Sequence, residues 1–210
     1  MIDNISKGQM TARIAEKLSR YYDKKLFKVI HDHALKKENK VYDDNSPIEE
    51  NNVGEIASWF GLEENRSRRT RLSQLDIAVV ERNTDKVFAL IEVEETINKP
   101  KTLLGDVFAA LWGNYFTFGD VSNHCALSIG NWTTLIVMCK DSDDDKDRIG
   151  FLNNNVETLI AAQSGEYPLI RKVFIESFTD ELELERKLKN QIEAARIRTD
   201  QIMPNKAALK

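Results

Sequence analysis

The residues that decide the fold are Leu72-Ser73-Gln74-Leu75-Asp76-Ile77-Ala78-Val79-Val80 and, beyond the turn Asn83-Thr84-Asp85, Val87-Phe88-Ala89-Leu90-Ile91-Glu92-Val93-Glu94-Glu95. Both stretches are rich in β-branched and apolar residues, and turn chemistry separates them, so they read as a β-hairpin. Side chains alternate along a strand. Ala78, Val80, Phe88 and Leu90 are therefore expected on one face, and Ile77, Val79, Ala89, Ile91 and Val93 on the other. With both faces apolar, the hairpin belongs inside a sheet that is covered on each side.

Three carboxylates interrupt this apolar pattern. Thr84 lies midway between Asp76 and Glu92, so a hairpin centred there sets these two residues opposite each other. Glu94 shares the face of Glu92. Three acids at one end of a buried hairpin repel one another and lose solvent. A divalent cation offsets both costs, and an all-oxygen ligand set favours Mg²⁺ or Mn²⁺.

Outward from the hairpin, residues 6–36 show helical spacing through Ile14, Leu18, Tyr21, Leu26, Val29, Ile30 and His33. Residues 53–60 read as a short helix ended by Gly61. Residues 38–52 carry turn and charge chemistry and read as a connection. After the hairpin, Pro100 opens a helix to about 116. Residues 133–140 form a strand without alternation, buried on both faces. An acidic run from Asp141 starts a helix reaching about 163. Residues 172–178 form a strand, and Thr179 caps a helix over 180–197. This order predicts an α/β single domain: a mixed β-sheet with a central antiparallel hairpin, flanked by helices. The division expected is an N-terminal helical segment over 1–45, a core over 46–200 and a loose tail over 201–210.

The chain of 210 residues has 30 Lys and Arg against 34 Asp and Glu, a net charge of −4, and 41% hydrophobic residues. That apolar content excludes wholesale disorder. Two cysteines, Cys125 and Cys139, exclude a disulfide framework and suit a reducing, cytoplasmic setting. The start Met1-Ile2-Asp3-Asn4 lacks a signal-peptide pattern. The longest apolar run, 135–139, is far too short to span a bilayer, so no membrane partner is expected. His31 and His33 do not share a helical face and make a poor metal pair. His124-Cys125 has no downstream histidine to act as base. Trp112, Tyr115, Phe116 and Phe118 read as core.

Leu75-Asp76-Ile77, a turn, Ile91-Glu92-Val93-Glu94 and a following helix resemble the PD-(D/E)xK nuclease superfamily, over roughly residues 55–140. The resemblance implies a restriction-endonuclease-like core and metal-dependent cleavage of DNA. It implies that Asp76, Glu92 and the Val93 carbonyl hold the metal. Glu94 stands where the pattern has Lys, as in some restriction enzymes, and would either orient and deprotonate the attacking water or ligate a second metal. Lys101 could supply a displaced ammonium. Many members add a helix glutamate, and both Glu55 and Glu16 compete for that role.

DNA must be held by cations. Arg66, Arg68, Arg69 and Arg71, interleaved with Ser67 and Thr70 directly before the Asp76 strand, suit phosphate contacts or a bidentate contact to guanine. The expected protein is a Mg²⁺-dependent, type II restriction-like DNA endonuclease working as a homodimer. A repair or structure-specific nuclease, and an inactive nuclease-fold interaction module, are the alternatives.

Overall fold

The structure is a computed structural model that describes residues 8–22, 26–32, 52–61, 63–65, 67–82, 84, 86–95, 100–119, 124–141, 146–161 and 169–202. Its elements are α1 (Gln9–Tyr21), β1 (Phe27–His31), β2 (Ile56–Trp59), a single helical turn Glu63–Asn65, β3 (Arg71–Leu75), β4 (Ile77–Glu81), β5 (Val87–Glu94), α2 (Pro100–Leu111), β6 (Tyr115–Gly119), β7 (His124–Ala126), β8 (Thr134–Lys140), α3 (Lys146–Ala161), β9 (Lys172–Phe178) and α4 (Glu181–Ile202).

The main sheet has five strands in the order β1-β4-β5-β8-β9. β4 pairs antiparallel with both β1 and β5. β5, β8 and β9 run parallel, joined by helices. This is the mixed sheet with a central hairpin expected from the sequence, and its helices follow from the strand–helix alternation after β5. No helix among the described residues is long and apolar enough to cross a membrane.

Both faces of the sheet are covered. On one, Ile14 and Leu18 of α1 and Leu184, Leu188 and Ile192 of α4 pack with Ile77, Val79, Ile91, Ile136 and Met138. On the other, Val107 and Leu111 of α2 and Val156 and Ile160 of α3 pack with Ala78, Leu90, Leu135 and Val137. Each of these Val, Leu, Ile and Met side chains, fully buried, contributes about 1.5–3 kcal/mol. The apolar stripe of α4 is thus used within the chain, while Leu182 stays 75% exposed.

Several local expectations need correction. Residues 6–36 are not one helix, because β1 follows α1 and pairs along β4. Its Phe27, Val29 and Ile30 suit a strand, and the remote partner overrides a helical spacing. Residues 53–60 are not a helix either. Ile56–Trp59 is a strand held between β3 and β6, although Gly61 does end it, with φ 100°. The expected strand 72–80 is two strands broken at Asp76, where the chain leaves a second, antiparallel sheet of order β3-β2-β6-β7 and enters the main one. The hairpin register slips between Val79 and Val80, so Val80 faces Val87. Phe88 consequently joins the α1 and α4 side, edge-on to Phe27 at 5.2 Å. Helix α2 ends at Leu111, which leaves Tyr115–Gly119 free to form β6. Asp180, not Thr179, caps α4: its Oδ1 accepts the Glu183 amide at 2.8 Å, while the Glu183 carboxylate takes the Thr179 amide and hydroxyl. The 38–52 connection lies outside the described residues except for Asn52, and α4 runs on to Ile202 before the undescribed end of the tail.

Candidate active site

The site forms at the end of β4 and β5 farthest from their turn. The register Ile77–Ile91, continued by one residue, sets Asp76 opposite Glu92. Asp76 is fixed on both sides. Its amide donates to the Ile91 carbonyl at 3.2 Å and its carbonyl accepts the Asp32 amide at 3.0 Å. Its Oδ2 accepts the Val93 amide at 2.7 Å. A residue between two sheets is therefore held by three bonds, and its carboxylate points along the hairpin.

A cleft of about 330 Å³ opens here, lined by Asp32, Gln74, Asp76, Glu92, Val93 and Glu94, with the start of α1 and Glu95 at its side. Glu92 is partly buried, and its Oε2 is sealed from solvent with no hydrogen-bond partner among the described residues. Burial above all pushes its carboxyl well up from the ordinary value, and Asp76, Asp106, Asp32 and Glu94 add to the rise. Cys139 faces Glu94 across β8. Burial, then Glu94, Glu92 and Asp106, pushes its thiol up to about 12, so it stays protonated and makes a poor nucleophile at neutral pH.

Glu94, the last residue of β5, and Glu95, which follows it, have different tasks. Glu94 lines the cleft. Glu95 turns to α1: its Oε1 accepts the Thr11 amide at 2.8 Å and hydroxyl at 2.6 Å, and its Oε2 accepts the Gly8 amide at 3.1 Å. Gly8 stands at the helix start with φ 83°, a conformation open to glycine at little cost, and has no side chain to cap the helix. Glu95, just past the end of β5, supplies that cap from far along the chain.

Asp32 is the site residue that sequence reasoning missed, because its segment was assigned to a helix. The signal was present: Val29-Ile30-His31-Asp32 repeats the apolar-strand-then-acid pattern of Leu75-Asp76. Gln74 holds Asp32, its Nε2 donating to Asp32 Oδ2 at 2.9 Å. Arg71 in turn donates to Gln74 Oε1 and pairs with Glu55. A polar chain thus runs from Glu55 to the cleft.

This chain separates the predicted residues. Asp76, Glu92, Val93 and Glu94 come together. Glu55 does not join them. It precedes β2 in the second sheet, is bound by Arg71, and is not on a helix. Glu16 is buried on α1. Lys101 is the second residue of α2. Arg68 and Arg69 are exposed in a turn closed by the Thr70 amide on the Ser67 carbonyl at 3.0 Å. Arg71 is engaged internally, and Arg66 lies outside the described residues. His124 lies 3.8 Å from Glu63, away from the cleft.

Among the described residues, no three His, Cys, Asp or Glu side chains stand close enough to enclose a metal ion. The donors nevertheless suit a hard cation in kind. Asp32, Asp76, Glu92 and Glu94 offer carboxylate oxygens and Val93 a carbonyl, and the sealed, unbonded Oε2 of Glu92 is a costly group that a cation would satisfy. Compared with family models, curated proteins and solved structures, the chain matches none.

Proposed function

We propose that the protein is a Mg²⁺- or Mn²⁺-dependent DNA endonuclease of the PD-(D/E)xK kind. The observation that carries this reading is the sealed, unbonded Glu92 oxygen across the hairpin from Asp76, in a cleft lined with oxygen donors. Asp76, Glu92 and the Val93 carbonyl would hold the ion. When bound, it would supply Lewis acidity to the phosphodiester and lower the pKa of its water.

The protein's own groups have distinct parts in this reading. The Val93 amide fixes one oxygen of Asp76 and so sets the direction of the other. Glu94 accepts the proton of the attacking water. The water oxygen bonds to phosphorus, the bond from phosphorus to the 3′ oxygen breaks, that oxygen takes a proton from solvent water, and the products carry a 5′-phosphate and a 3′-hydroxyl. Lys101, at the start of α2, is the cation offered to the charged transition state. A homodimer cutting both strands, as restriction enzymes do, is the form proposed.

Incubation of the protein with supercoiled plasmid and Mg²⁺ tests this. Nicked or linear products that vanish in EDTA and in Glu92→Gln are expected. Intact plasmid, with no heat of Mg²⁺ binding by calorimetry, favours an inactive interaction module instead.

A further inference from the structure

Trp112, expected in the core, is 66% exposed, and Phe60 is 60% exposed. Their segments meet at one end of the second sheet. Asn114 donates its amide to the Trp59 carbonyl at 3.0 Å, and its Oδ1 accepts the Gly61 amide at 2.6 Å. A Cβ on Gly113 would come within 2.7 Å of Ser58 Cβ, so the chain leaving α2 lies hard against β2. The Phe60 amide donates to the Thr70 carbonyl at 2.7 Å, which brings in the turn carrying Arg68 and Arg69. Two exposed aromatics and two exposed arginines therefore share one corner.

The charge of this corner runs against the rest of the molecule. The segment 61–71 holds four arginines and two glutamates, within a chain of net charge −4. Glu63 and Glu64 are exposed beside them, and Glu63 lies near His124. The cleft, lined with carboxylates, repels a phosphate backbone, so cations to hold one must lie beside it. β3 connects the two places: Arg71 begins it at the corner and Asp76 follows its end at the cleft. Five residues of strand span about 17 Å, or about five steps of one DNA strand at 3.4 Å each.

We infer that this corner binds unpaired bases of DNA, with Trp112 and Phe60 stacking on bases and Arg68 and Arg69 holding their phosphates, about five steps from the phosphate in the cleft. The inference rests on the nuclease reading and refines its substrate from a plain duplex to one bearing unpaired bases. Aromatic faces stack on any base once it leaves the helix, while a paired base offers them nothing without the cost of unstacking.

Fluorescence titration with Mg²⁺ omitted tests binding apart from chemistry. Trp59 is buried and Trp132 partly so, which makes Trp112 the reporter exposed to a ligand. Addition of a duplex with a short single-stranded tail should quench emission. Read by the anisotropy of a dye-labelled tailed duplex, since these variants lack the reporter, Trp112→Leu should weaken binding about tenfold and Trp112→Phe should restore most of it. Arg68→Ala with Arg69→Ala should lower the salt slope by about 2. Equal affinity of the wild type for tailed and blunt duplex, or unchanged affinity in Trp112→Leu, overturns the inference even if plasmid is cut. Concentration-dependent self-association lost in Trp112→Leu, without quenching by DNA, also overturns it and makes the corner a protein interface. Quenching by tailed DNA in a protein that cuts nothing leaves the corner standing and removes the nuclease reading.

Discussion

Asp76 Oδ2 accepts the Val93 amide proton at 2.7 Å, which ties the residue between the two sheets to the strand that carries Glu92 and Glu94. This bond separates a structural from a chemical role of the same carboxylate. Asp76→Asn keeps a carbonyl oxygen for the amide and loses the charge. It should fold with little change in melting temperature and lose cleavage. Asp76→Ala removes the acceptor as well and should cost about 1–3 kcal/mol in a denaturant titration. An Asn variant that still cuts would remove Asp76 from the proposed chemistry.

Glu92 predicts a gain in stability on losing function. Its carboxyl is pushed up in the folded protein, first by burial and then by neighbouring acids. Between the ordinary carboxyl value and the raised one, the folded state binds more protons than the unfolded state, so stability falls as pH climbs through that window and levels off above it. Glutamine does not titrate. Glu92→Gln in EDTA should therefore melt higher than the wild type by about 1 kcal/mol at neutral pH, with the difference shrinking toward acid. A Gln variant that is less stable at every pH would mean that the charge is satisfied in the free protein.

At Glu94 the test is a pair of substitutions. Glu94→Ala should abolish cleavage and leave DNA binding intact. Glu94→Lys restores the commoner letter of the resembled superfamily and should be inactive too, because its cation competes with Mg²⁺ in a cleft organised around acids. An exposed glutamate without a role would tolerate either change within about 0.5 kcal/mol and keep activity. Single-turnover cleavage by the folded variants decides between these.

Gln74 bonds Asp32 and Arg71, and in the proposed chemistry it would be a positioning residue. Gln74→Ala should raise the Mg²⁺ concentration for half-maximal cleavage about tenfold while the rate at saturating Mg²⁺ changes little. Asp32→Asn should do the same, and the double variant should be no worse than Asp32→Asn alone. Full additivity would show that the two act separately.

How much of this could be read in the sequence differs from element to element. β8 was legible because a strand buried on both faces is a continuous apolar run, β9 was legible from Val173, Phe174 and Ile175 although its burial alternates at the sheet edge, and the hairpin register followed from the position of Thr84. Asp76, Glu92 and Glu94 therefore came out together. β1 and β2 were illegible because strands of five and four residues carry little periodicity of their own, and their partners lie far along the chain. Asp32 was lost with β1. The break at Asp76 was hidden for a related reason: β3 and β4 are both strands, and only their partners reveal that they belong to different sheets. Trp112 and Phe60 look like core residues by type, and only the packing shows them exposed.

The cap that Glu95 places on α1 bears on how the molecule assembles. Thr11 and Glu95 are 84 positions apart. During synthesis α1 leaves the ribosome early with a glycine at its start and no local cap, a poor beginning for an isolated helix of 13 residues. Its cap arrives only when the hairpin has formed and met it, so α1, made before the hairpin, is expected to settle after it. Folding of α1 and completion of the cleft wall then become one late event, dominated by a long-range contact and slow for that reason. A chain released before residue 95 would carry the first helix without the group that secures it.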